Sequence, residues 1–95
     1  ALASMVAAGD SMEPRIYNGD AVVVDTSQRE IFDGKVFALW YDVSERIKRL
    51  SRRPGGGLII ASDNPKFPEI ALTADEAKFV RVIGKVVHIA GTGGL

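Results

Sequence analysis

At 95 residues the chain is one small domain spanning 1–95, with little room for a second. Twelve basic and twelve acidic residues cancel, so no net field draws the chain to nucleic acid or a membrane surface. Without cysteine, disulfides, thiolate chemistry and cysteine-ligated zinc are excluded, and no apolar run approaches the roughly 20 residues that cross a bilayer. The expectation is a soluble, cytoplasmic protein with no cofactor, no metal and no membrane partner. A domain this small buries a modest share of its surface and gains from a partner copy.

In chain order, Ala1 to Ala8 is apolar but lacks the basic flank of a signal peptide. That abrupt apolar opening reads as the start of a fragment or processed product. Ser11 to Ile16 fits a short turn limited by Pro14. Asn18-Gly19-Asp20 is a turn signal, and Ala21 to Val24 behind it is β-branched as a buried strand should be. Asp33-Gly34 is a second turn, Lys35 to Tyr41 a second strand, and Asp42 to Glu45 an interruption before a mixed polar strand, Arg46 to Arg52. Pro54 to Gly57 is a loop, and Leu58 to Ala61 is a fourth strand. Thr73-Ala74-Asp75-Glu76 caps a single helical turn. Phe79 to Ile89 is a long final strand or a pair of them, and the glycine-rich tail Gly91 to Gly94 is expected to fray. Strands at this spacing with glycine-rich turns predict an all-β fold.

Ser11, in Gly9-Asp10-Ser11-Met12-Glu13-Pro14, falls on a tight bend. There its hydroxyl can be exposed, with neighbouring backbone N–H groups converging into an oxyanion hole. The same residues also suit a serine that merely turns the chain. A nucleophilic serine needs a base. The sole histidine, His88, lies in a strand and reads as structural or surface. Asp20, Asp33 and Asp63 sit in turns, where aspartate serves the backbone. In Arg46-Ile47-Lys48-Arg49-Leu50, alternation puts Lys48 on the face of Leu50, opposite Ile47. On a partly apolar face the neutral amine is favoured. An ordinary lysine titrates near about 10.4, so a base near neutrality needs about 4 kcal/mol against the charged form. Burial and the nearby Arg46 can act in that direction. Residue pattern alone favours a solvated basic strand, in which Arg46, Lys48, Arg49, Arg52 and Arg53 face water or acidic groups.

The block Gly9 to Pro14, with Asn18-Gly19-Asp20 and the valine-rich strand after it, resembles the nucleophile block of the LexA/UmuD/phage-repressor family of serine peptidases. Ile47-Lys48-Arg49-Leu50 resembles that family's lysine block, with Lys48 following Ser11 by 37 positions. Ser62-Asp63-Asn64-Pro65, with Phe67 and Pro68, resembles a third block, and Val82 to Val87 the closing strand. The membrane signal peptidases share the Ser-Met and lysine logic, but a membrane anchor is not expected here.

The resemblance implies a twisted all-β peptidase fold in which neutral Lys48 takes the Ser11 proton and Ser11 attacks a peptide carbonyl. It implies cleavage of the protein's own chain, at an Ala-Gly or similar bond upstream, which separates a helix-turn-helix DNA-binding domain from a dimerising part. Ala8-Gly9 lies too near Ser11 to fold back into the site. By itself this chain is therefore expected neither to bind operator DNA nor to cleave itself in the usual way. Self-association is expected through Val80 to Ile89, read as an exposed edge. The expected regulator is a RecA filament on single-stranded DNA. The alternatives are a non-cleaving oligomerisation domain governed by an antirepressor and a UmuD-like polymerase accessory subunit. One departure stands out: many members carry a small or hydroxyl residue two before the lysine, and here that position is Arg46.

Overall fold

The computed structural model describes residues 1–91. In chain order the elements are β1 (Leu2–Val6), β2 (Ala21–Asp25), β3 (Lys35–Tyr41), β4 (Ser44–Arg52), β5 (Leu58–Ala61), β6 (Ile70–Leu72), α1 (Ala74–Ala77) and β7 (Arg81–Gly91). The strands form one antiparallel sheet in the order β1-β2-β7-β3-β4-β5-β6. The fold is all-β, as the turn spacing predicts.

Two strands are not evident in the sequence pattern. In β1 the small residues of Leu-Ala-Ser-Met-Val carry little β-branched signal; long-range pairing with β2, from Leu2 opposite Asp25 to Val6 opposite Ala21, makes the strand. At three residues, β6 is too short to show a period. The interruption before β4 is also shorter than expected. Asp42 and Val43 alone make the turn, both with positive φ, the backbone of a two-residue hairpin that matches strand twist. The helical turn forms as predicted: Thr73 caps it reciprocally with Glu76.

The expectation that β7 offers an exposed edge is corrected. β7 is an interior strand that joins the two halves of the sheet. Its Lys85–Gly91 stretch pairs with β2, and Arg81–Lys85 pairs with β3. The outer strands are β1 and β6. Gly84 sits at the changeover, where a Cβ would lie 2.4 Å from the Asp25 carbonyl oxygen and 2.8 Å from Val24. Only glycine permits so close a passage of β7 across β2. Phe79 lies outside β7, in the turn leaving α1. Gly91 closes β7 opposite Ala21 instead of fraying; residues 92–94 of the expected tail lie outside the described residues.

Two apolar clusters hold the sheet. One gathers Met12, Ile16, Val22, Val24, Ala38 and Ile47. The other gathers Phe37, Leu39, Leu50, Leu58, Ile60 and Leu72. Cross-strand pairing sets Ile47 opposite Ala38 and Lys48 opposite Phe37. The expected alternation along β4 therefore holds: Ile47 belongs to the first cluster, while Lys48 shares its face with the second.

Candidate active site

Ser11 lies in the loop joining β1 to β2, and the loop's own chemistry fixes its shape. Ala7 N–H donates to the Asp20 carbonyl and Gly19 N–H to the Ala7 carbonyl, both at 2.8 Å, which closes the base of the loop. The Asn18 side-chain oxygen accepts the Gly9 N–H at 2.8 Å, and Gly9 has a φ of 83°. The buried Asp20 carboxylate accepts the Tyr17 N–H at 2.8 Å. Asn18 and Asp20 thus mould the turn that presents the serine. Within that turn Arg15 and Ile16 N–H groups both reach the Met12 carbonyl. Met12 and Ile16 are buried in the core and anchor the loop, leaving Ser11 half-buried between them and solvent.

Lys48 is only 9% exposed. Burial pushes its amine below the ordinary lysine value of 10.5, and the Arg46 guanidinium adds to that in the same direction. The amine lies 5.6 Å from the Phe67 ring centroid. Among the described residues its hydrogen bond runs to Ser62 Oγ, at 2.8 Å, rather than to the Ser11 hydroxyl. Arg46 is turned to the hairpin end: its Nε donates to the Tyr41 carbonyl and to Ser44 Oγ. Its guanidinium also pairs with Asp42 at 3.7 Å. It therefore supplies charge near the lysine but no acceptor.

The segment Ser62–Asn64 joins these two parts, a role the residue pattern alone did not reveal. Asn64 N–H donates to the Ser11 carbonyl at 2.9 Å, and its side-chain amide donates to the Asp10 carbonyl at 3.0 Å. Asp63 accepts the Arg49 guanidinium through both oxygens. The only signal for this in the sequence was the third family-like block, which carried no assigned roles. Among the aspartates read as turn residues, Asp20 and Asp33 do bond backbone N–H groups; Asp63 serves an ion pair instead.

A groove of about 500 Å³ opens beside the serine, within the usual range of binding sites. Ser11 and Lys48 both line it. One wall is the end of β1 through Gly9, the other is Ser44 to Ile47, and Phe67 closes one side. His88 is exposed on β7, opposite Val23, and is not among the lining residues. Among the described residues, no three His, Asp or Glu side chains gather as a metal site, and no helix is long and apolar enough to cross a membrane.

An all-β sheet that seats a serine turn and a buried lysine on one groove defines a peptidase-type fold. Residues 2–87 match the Peptidase S24-like family, and the chain belongs to it. It is 44% identical over 80 residues to the repressor protein CI of Enterobacteria phage phi80, covering 84% of this chain and 33% of the repressor. It is 34% identical over 81 residues to an uncharacterized HTH-type transcriptional regulator of Haemophilus influenzae, covering 85% and 34% of the two chains. Over 56 residues it is 45% identical to the HTH-type transcriptional regulator PrtR of Pseudomonas aeruginosa, covering 59% and 22%. The chain therefore spans about a third of the length of the first two relatives. It is a repressor-like S24 domain, related to phage and bacterial transcriptional regulators.

Proposed function

We propose that this domain is the self-cleaving, self-associating portion of a DNA-damage-responsive repressor, with Ser11 as nucleophile and Lys48 as general base. The observation that carries the reading is the shared groove: a half-buried serine on a constrained turn and a desolvated lysine line the same space. In the reaction, the neutral Lys48 amine removes the Ser11 proton while Oγ attacks a peptide carbonyl. Backbone N–H groups at or beside Ser11 hold the oxyanion. Lys48 then returns the proton to the leaving amine, and water hydrolyses the acyl-serine. The scissile bond belongs to the same polypeptide, outside 1–95, and cutting it separates a DNA-binding helix-turn-helix domain from a homodimerising one in the cytoplasm. A RecA filament stimulates the step.

A second reading keeps the fold for repressor oligomerisation under an antirepressor, without cleavage. What favours it is that, among the described residues, the Lys48 amine makes no hydrogen bond to the Ser11 hydroxyl. The two are separated by incubating the repressor that carries this domain at alkaline pH, and with activated RecA filament. Two fragments are expected from the native protein and none from Ser11→Ala or Lys48→Ala. An intact native protein under both conditions would favour the second reading, and cleavage unchanged in either variant removes the assigned roles.

A further inference from the structure

The geometry points to Ser62 as the positioning residue for the Lys48 amine, a hydroxyl delivered from the loop after β5 and tied to the nucleophile turn through Asn64. This deepens the proposed dyad and rests on it. The position two before the lysine holds Arg46, whose guanidinium is engaged with Tyr41, Ser44 and Asp42 and has no acceptor to offer an amine. Ser62 Oγ fills that need from a different part of the chain, 2.8 Å from Lys48 Nζ.

Three features make this more than a passing contact. Lys48 is buried, so its amine depends on protein partners more than a surface lysine does. The residue after Ser62 is fixed by the two-oxygen grip of Asp63 on Arg49, which stands next to Lys48 on β4. The residue after that, Asn64, donates to the carbonyls of both Asp10 and Ser11. One three-residue segment therefore touches the base, the strand that carries the base, and the turn that carries the nucleophile. A displacement of that segment moves amine and hydroxyl relative to each other. The other charged groups facing the groove are Glu45 and Arg46 on β4 and Asp10 before the serine.

The test needs no natural substrate. A fluorophosphonate probe reacts with an activated serine: the Oγ–P bond forms, the P–F bond breaks, fluoride leaves and the serine proton passes to the amine. Its rate of attachment to Ser11 is followed by mass spectrometry against pH in the 95-residue chain and in Ser62→Ala, Ser62→Thr and Lys48→Ala. The Lys48 side-chain resonance is titrated by NMR in the same proteins. Ser62→Ala is expected to lower the high-pH plateau by roughly ten- to a hundredfold. It should also move the Lys48 inflection to lower pH, because a lost acceptor no longer favours the ammonium. A more neutral amine that reacts more slowly is the mark of lost positioning, and Ser62→Thr should restore most of the plateau. An unmoved Lys48 titration in Ser62→Ala overturns the assignment whatever the labelling does, and so does an unchanged plateau. Failure of the dyad itself reads differently: Lys48→Ala would then label as fast as the native chain.

Discussion

Asp63 grips Arg49 through both carboxylate oxygens, at 2.6 Å to Nε and 3.1 Å to Nη2, while Arg49 Nη1 donates to the Gly34 carbonyl at 2.7 Å. The pair ties the loop after β5 to the strand that carries Lys48 and to the turn before β3. Its two side chains are 30% and 15% exposed, so water screens it only in part. Charge-assisted, two-pronged bonds of this kind exceed the usual surface ion pair. Asp63→Ala is expected to lower unfolding free energy by about 1–2 kcal/mol and to slow Ser11 reactivity, because Asn64 loses its anchored neighbour. Urea denaturation alongside probe labelling checks both effects. A variant as stable and as reactive as the native chain would show the brace to be idle.

The lowered pKa of Lys48 carries a stability consequence with a definite sign. Burial, with Arg46 in support, moves the folded amine below 10.5. Between the folded and unfolded values the unfolded chain binds more protons, so this group makes stability rise with pH. Lys48→Met keeps the bulk and removes the charge. Relative to native, it is expected to be favoured most near neutral pH, with the difference shrinking as pH approaches 10.5. Denaturation curves across that range give the slope directly, and a difference that stays flat with pH contradicts a desolvated amine. Under the proposed mechanism, self-cleavage of the protein that carries this domain should climb with pH through an inflection below 10.5.

The sheet's inner strands are readable because each combines β-branched residues with glycine or proline turns, and Ser11 and Lys48 are singled out by sequence blocks that resemble a peptidase family. What lay beyond reach is set by long-range pairing. Leu2–Val6 becomes a strand because β2 lies beside it, and nothing local in Leu-Ala-Ser-Met-Val demands one. The length of β7 was legible, but not that it bridges two half-sheets, since strand order is decided by partners far away in sequence. The link from Ser62 to Lys48 spans 14 positions and depends on how the loop after β5, which also brings the Phe67 ring to the amine, folds back onto β4. Neither periodicity nor composition encodes such a contact.

Acid should weaken the fold at Asp25. Hydrogen bonds from the Gln28 side chain, then from Ser27, hold its carboxyl at about 2, below the usual 3.8. A depressed carboxylate contributes stability that is complete above the unfolded value and disappears as pH falls through the folded one. The loss therefore falls between about 3.8 and about 2. Asp25→Asn removes the titration, so its stability should be lower than native at neutral pH but flatter across that acid window. Urea midpoints measured from pH 5 down to pH 2 compare the two. Parallel curves would mean that Asp25 does not titrate as its hydrogen bonds require.

The β3–β4 turn holds strain that can be released without touching the core. Asp42 and Val43 adopt φ values of 51° and 57°, a backbone region where a β-branched side chain crowds its own carbonyl. Val43 is 85% exposed, so its methyl groups gain little packing in return. Glycine at this position would create Asp-Gly, the pairing that two-residue hairpins favour. Against that relief stands the greater freedom glycine gives the unfolded chain. The first effect is the larger for a valine at positive φ, so Val43→Gly is expected to stabilise the fold by about 1 kcal/mol, with a higher Tm by circular dichroism. Because Ser44 to Ile47 forms a wall of the groove, labelling of Ser11 in the same variant also reports whether the strained tip shapes the site. Faster or slower labelling at raised stability would tie the turn to function; a lowered Tm would refute the strain argument.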